Sequence, residues 1–478
     1  VGQFRKKAII SGWWWYNAQK QNSLKHKLVF FLHSCFTLSK SDGVPKSSYF
    51  YDYLRLLDFY AYGNIKALAK KITFDNSILY YLDNNTNNKN NPNENYSREF
   101  LELFTILKGE QIGEGNYTTY TESDIQNAAK VFSGIKTKPL RDTLDPDTGI
   151  PMGYVNTGQH DTTDKIFSSA FNNQTISGQS TQQGVIQEVD DFVEMIFSQQ
   201  ATAKSYCRKL YRFYVKSEWN QQVEDEIITP LSNQLIANDF NLLEVLETLL
   251  MSQHFYDEDT SDNSDEIIGS IVKSPLQLIS ETIRLLNINL PNPEASATNP
   301  PSSFSNDQIY FHKFYYNFSY LAFFPSTGIN PFSPESVAGY PAMYQTPSFD
   351  RNWFSSNTII GRYKLIECFI SGRNKILNNN ANIRVLFNTV DYVENSGNFS
   401  LATDAITLVQ EIANLLYCES IDSSRNAYFI SILTDGLEAY YWNSAWNDYL
   451  QTGNTVQVKI RLDALFTAMI NAPEFQLM

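Results

Sequence analysis

The stretch Asn91-Pro-Asn-Glu-Asn-Tyr-Ser-Arg-Glu-Phe-Leu-Glu-Leu-Phe104 constrains the fold most, because it combines start signals, charge pairing and apolar periodicity in one short run. Asn91 can cap a helix, Pro92 suits the first helical position where no N–H is needed, and Glu94 can reach back to the cap. Tyr96, Phe100, Leu103 and Phe104 recur at helical spacing and predict one apolar face. Glu94, Arg98 and Glu102 follow one another at i, i+4 on another face, with Glu99 beside them. Arg98 is therefore expected to be a buried hub, clasped by Glu94 and Glu102, onto which neighbouring segments dock.

The rest of the chain is compatible with a mainly α fold. Its 478 residues are 42% hydrophobic and 14% aromatic, with 29 Tyr, 32 Phe and 7 Trp, so it can bury a large, ring-rich core. A net charge of −14 argues against a nucleic-acid partner, which would need clustered Lys and Arg. No run of about eighteen apolar residues occurs, so no transmembrane helix is expected. Cys35, Cys207, Cys368 and Cys418 form no C-x-x-C pair. Buried free thiols are the simpler reading, with a Cys368–Cys418 disulfide as the alternative in an oxidising compartment.

In chain order, Trp13-Trp14-Trp15-Tyr16 behind Arg5-Lys6-Lys7 reads as a core anchor rather than a membrane-surface helix. Leu24, Leu28, Phe31, Leu32 and Cys35 place His33 on a mostly apolar helix. The polar run 83–92 is full of side-chain oxygens but lacks the alternation of a calcium loop, so it reads as a plain Asn-rich loop. Thr121-Glu-Ser-Asp124 makes a capping box for a helix that stops near Gly134. Residues 136–184 change character, with Pro, Gly and Thr predicting loops and short strands, and such an excursion is often functional. Residues 257–266 form an acidic patch, and residues 287–305 read as a Pro-rich surface crossing. The expected architecture is one large multi-helix domain over 1–478, with an irregular insertion at 136–184.

The run from Asn91 to Ile135 resembles the signature of the bacterial family called domain of unknown function 1800, with Ser97 where Ala is usual. The resemblance extends over nearly the whole chain. His33 matches the first histidine of the family's Phe-Trp-His-x-His-Phe segment, while Cys35 stands at the second. His160-Asp161-Thr-Thr-Asp-Lys165 is similar to a His-Asp-x-Gly-x-Lys segment, with Thr163 for Gly. Pro334-Glu-Ser-Val-Ala-Gly-Tyr-Pro341 resembles another, with Tyr340 for Trp. The resemblance implies an exported, mostly helical bacterial protein located in the periplasm, at the cell surface or outside the cell. It also implies that an export signal preceded Val1, and that a sulfatase-like protein is often encoded alongside. No activity comes with it.

The residues leave several chemistries open. His33, Glu99, Glu102 and His160 are the candidate ligands for a divalent metal, and Glu99, Glu102, His160 and Asp161 are the candidates for acid–base work, with Arg98 holding an anion. Against these stand a structural hub at Glu94, Arg98 and Glu102 and a satisfied core histidine at His33. Three functions follow. The first is a non-catalytic protein acting through a protein partner, the second a metal-assisted or carboxylate-based hydrolase, and the third a carbohydrate-binding protein suggested by the Tyr and Trp content. No G-x-S-x-G, P-loop, G-x-G-x-x-G or H-E-x-x-H motif is present, which favours the first.

Overall fold

The signature helix begins later than its capping signals predict. A computed structural model describes residues 2–21, 23–257, 267–293, 306–377 and 379–478, and in it the helix spans Asn95–Glu99 without a side-chain cap. Asn91 and Pro92 belong to the preceding loop instead. The Asn88 Oδ1 accepts from the amides of Asn90 and Asn91, and the Asn93 Oδ1 accepts from Asn95. These short amide side chains offer the backbone local acceptors that outcompete an earlier helical start.

By backbone contacts the chain groups into two compact units, Val1–Asp265 with Pro331–Thr346, and Glu266–Asn330 with Pro347–Met478. The protein is mainly α-helical, with short strand pairs between helices. In the first unit α1 is Gln3–Lys20, α2 Lys25–Cys35, α3 Ser47–Phe59, α4 Ile65–Ile72, α5 Asn76–Tyr81, α6 Asn95–Glu99, α7 Glu122–Val131, α8 Gln182–Phe197 and α9 Gln200–Tyr214. After α6 the chain widens into a π-helical turn, Phe100–Phe104. The extra residue per turn shifts the phase of the apolar face, so Leu101 is fully buried while Leu103 is only half-buried.

That turn leaves carbonyls that its own helix does not use, and α9 supplies the donors. Ser205 Oγ donates to the Thr105 carbonyl at 2.5 Å, Tyr206 OH to Phe104 at 2.7 Å, and Lys209 Nζ to Leu103 at 2.6 Å. Rings then close the core around the turn. Phe132 lies 4.8 Å from Tyr96, 5.5 Å from Phe100 and 5.2 Å from Phe192, centroid to centroid.

The capping box at the start of α7 is formed by Thr121 and Asp124. Residues 136–184 are irregular, held by the antiparallel pairs β3 (Ile135–Lys136) with β4 (Tyr154–Val155) and β5 (Lys165–Ile166) with β6 (Thr175–Ile176), after a first pair β1 (Gln111–Gly113) with β2 (Asn116–Tyr117). The Asn-rich loop is organised by protein groups. Lys136 Nζ donates to the carbonyls of Asn85 and Asn87 at 2.8 and 2.9 Å, and the Asn84 and Asn87 amides reach Phe132 and Ala129 carbonyls. An ammonium thus gathers the loop carbonyls that a bound cation would otherwise attract.

On α1, Trp14, Trp15 and Tyr16 are buried, whereas Trp13 is 45% exposed. The segment 331–346 packs within this unit: the Phe332 ring is 4.7 Å from Trp14 and 4.9 Å from His33. In the second unit the helix Val456–Asn471 carries Phe466, whose ring meets Phe387 at 5.2 Å and Tyr392 at 6.0 Å. Arg362, almost wholly buried there, donates to Gln476 Oε1 and to the Lys273 carbonyl.

All four cysteines are free, with Cys418 exposed and the other three buried, so Cys368 and Cys418 are not bridged. Among the described residues no helix is long and apolar enough to cross a membrane. Most of the expected acidic patch and of the Pro-rich crossing, residues 258–266 and 294–305, lie outside the described residues. Because Phe132 touches three rings in a fully buried cluster, Phe132→Ala should lose about 3–5 kcal/mol of stability. Denaturant unfolding would check this, and an unchanged midpoint would show that the cluster does not hold the unit together.

Candidate functional site

Arg98 is clasped by three carboxylates. Its Nη2 is 2.5 Å from Glu122 Oε1 and 3.3 Å from Glu94 Oε2, and its Nη1 is 3.3 Å from Glu102 Oε1. Lys108 Nζ takes the other oxygen of Glu102 at 2.8 Å. Glu122, ahead of Glu102, holds the guanidinium pKa well above its ordinary value. Yet the Arg98 side chain is 35% exposed, so it is a clasp at the edge of the unit and not the buried hub expected from the i, i+4 spacing of its carboxylates. Exposure on this scale limits each pair to about 0–1 kcal/mol. Periodicity could not reveal Glu122, which lies on α7. The available signal was its place in the first turn after Thr121, where a carboxylate complements the helix N-terminus.

Glu99 faces a different environment. It is half-buried, and no described residue offers it a hydrogen bond. Burial first, and then the charge of Glu102, push its carboxyl up to about 7, against the opposing pull of Arg98 and Lys108. Tyr81 on α5 is pushed up to about 12 by burial and by Asp42 and Glu99.

His33 is sealed. Its Nδ1 is 2.9 Å from Tyr53 OH, its Nε2 has no partner, and the rings of Phe30, Phe332 and Tyr340 surround it. Burial, with the nearby Lys40 charge, drives its pKa down to about 3, so the ring stays neutral. Cys35, two residues further along α2 and also buried, has its thiol raised to about 11 by burial, which keeps it protonated.

His160 is equally inaccessible, in another place. Its Nδ1 is 2.8 Å from the Ser133 carbonyl and its Nε2 3.2 Å from Glu188 Oε1, while Lys165 Nζ reaches Glu188 Oε2 at 2.5 Å. The Gln179 amide also donates to Glu188. This buried network pins the insertion to α7 and α8. Asp161 makes a local turn, its Oδ1 accepting from the amide and hydroxyl of Thr163. Glu188 was missed by the sequence reading, although a carboxylate among Val185, Val189 and Phe192 on the apolar stripe of α8 is a readable sign of a buried ion pair.

The structure therefore does not gather His33, Glu99, Glu102 and His160. Among the described residues no group of three or more His, Cys, Asp or Glu side chains could hold a metal ion. The two rings keep different neighbours, His33 beside Tyr53 and His160 beside Ser133 and Glu188.

An accessible surface lies on α1 and α3 instead. Ile9 and Trp13 are exposed on one face of α1, and the Trp13 ring is 6.2 Å from that of Tyr51, which is exposed on α3. Arg5 and Lys6 are exposed at the start of α1. A family model described as a protein of unknown function (DUF1800) matches residues 3–477 of the chain. No curated protein matches it, and no solved structure does.

The raised carboxyls carry a pH signature. Glu99 and the fully buried Asp75 are each pushed to about 7, above the ordinary values of 4.5 and 3.8. Each binds its proton more tightly folded than unfolded, so the stabilisation is complete below the unfolded values and is lost as pH rises through about 7. Glu99→Gln, permanently neutral, should flatten part of the fall in stability between about pH 4.5 and 7. Thermal melts across that window check it, and a slope equal to wild type would count against the shift.

Proposed function

The chain belongs to the DUF1800 family of unknown function, and on that premise we propose that it is a binding protein of the bacterial envelope or extracellular space that acts through a protein partner. The observation that carries this reading is the exposed face formed by Ile9, Trp13 and Tyr51, rimmed by Arg5 and Lys6. Trp, Tyr and Arg are the side chains that dominate binding energy at protein interfaces, and large apolar groups flanked by charge favour a partner with an acidic rim. Sealed histidines at 33 and 160 support the same reading, because a solvent-borne substrate meets neither ring. The sulfatase-like protein implied by the family resemblance is the first partner to test. Co-purification should recover the pair, and Trp13→Ala with Tyr51→Ala should weaken it at least about tenfold, the loss expected for central aromatic anchors. Retention by the double variant would refute the assigned face.

A carboxylate-based hydrolase is the second reading, favoured by Glu99 and Glu102. One carboxyl is raised to about 7 beside another that is held by Arg98 and Lys108, which is the division of labour an acid and a base require. On this reading Glu99→Gln should lower turnover by roughly 10²–10⁴-fold without affecting partner binding. A screen of hydrolysable ester, amide and glycoside substrates that detects no turnover in wild type would count against it.

A further inference from the structure

Along α3 from Tyr51, the helix face leads to an open cleft of about 320 Å³, bounded by Lys25, Arg55, Asp58, Phe59, Tyr62 and Ile150. This is the lower end of the size range of small-ligand sites. Its lining includes the buried Ile150 and two exposed rings, Phe59 at 54% and Tyr62 at 38%. Tyr60, buried, braces Phe59 edge-on at 5.0 Å.

The charges within the cleft differ in their engagement. Lys25 Nζ and Asp58 Oδ2 are paired at 2.8 Å and remain partly exposed. Asp52, the acidic neighbour one turn before Arg55, is fully occupied: both its oxygens accept from Arg141, each at 2.7 Å. Arg55 makes no hydrogen bond or ion pair with any described residue, attracts Asp52 only at longer range, and is exposed at the cleft. A guanidinium fork in this state suits a planar or tetrahedral oxyanion bound through two parallel N–H donors. The two rings offer flat apolar walls, which suit the C–H faces of a pyranose. Asp58 and Lys25 add an acceptor and a donor for hydroxyl groups, which an aromatic acid would lack and a sugar would supply.

We propose that this cleft binds one residue of an acidic saccharide, a sugar ring carrying a carboxylate or a sulfate. Arg55 takes the anion, Phe59 and Tyr62 take the ring, and the Lys25–Asp58 pair takes hydroxyls. The inference goes beyond the protein-partner reading and does not depend on it, because the two use different side chains.

Calorimetry on the full chain would test it with three probes, a galacturonate trisaccharide, a sulfated galactan trisaccharide and a neutral galactan trisaccharide. Wild type should bind at least one acidic probe at least tenfold more tightly than the neutral one, and the preferred probe tells carboxylate from sulfate. Arg55→Ala should remove that preference, Phe59→Ala should weaken binding of all three, and Trp13→Ala should leave all three unchanged. Arg55 and Phe59 are exposed, and a melt equal to wild type confirms that each variant folds. Equal affinity for acidic and neutral probes, no binding of any probe, or an Arg55→Ala variant that keeps its preference would each overturn the proposal.

Discussion

Backbone satisfaction around the π-helical turn at Phe100–Phe104 is the constraint on which the first unit depends. A turn of this kind misaligns carbonyls that an ordinary helix would use, and an unpaired buried carbonyl costs about as much as a lost hydrogen bond. Three consecutive carbonyls, of Leu103, Phe104 and Thr105, are each met by a different side chain of α9. Those donors fix the register of α9 against the turn, and the ring cluster of Tyr96, Phe100, Phe132 and Phe192 then fills the space that the register leaves. The turn also sets where the carboxylates point: Glu102 toward Arg98 and Lys108, and Glu99 into a half-buried setting where no described residue donates to it.

A second set of buried polar groups holds the insertion. Glu188 is almost wholly buried and would be costly there without partners, and it receives Lys165, His160 and the Gln179 amide. The segment His160 to Lys165 is thus a clasp that seats an irregular loop on a helical core. His33 plays a comparable role in an apolar setting, its ring filling space among Phe30, Phe332 and Tyr340. Residue types that suggest chemistry are engaged here in architecture. The outer surface of α1 and α3, by contrast, carries exposed rings and an exposed arginine side by side.

Several features were readable from local pattern. The Thr121 and Asp124 capping box, the irregular character of 136–184, the i, i+4 pairing of Glu94, Arg98 and Glu102, and the buried Trp14 and Trp15 follow from interactions between residues close in sequence. Such interactions have a fixed geometry once the helix forms. The mainly α fold was readable for the same reason. The late start of α6 was not, because two local signals competed: a Pro92 start against Asn side chains that capture nearby amides.

Amino-acid order alone determined that this chain would be helical, ring-rich and acidic, and that an arginine would be flanked by carboxylates on one helix, since these depend on composition and short-range spacing. Only the tertiary structure decided that Glu122 completes that clasp, that His33 and His160 keep separate company, and that both oxygens of Asp52 go to Arg141 and none to Arg55. Each of those outcomes joins side chains far apart along the chain or turns on burial. Distance through space and exclusion of water arise only when the elements pack, and no periodicity encodes them.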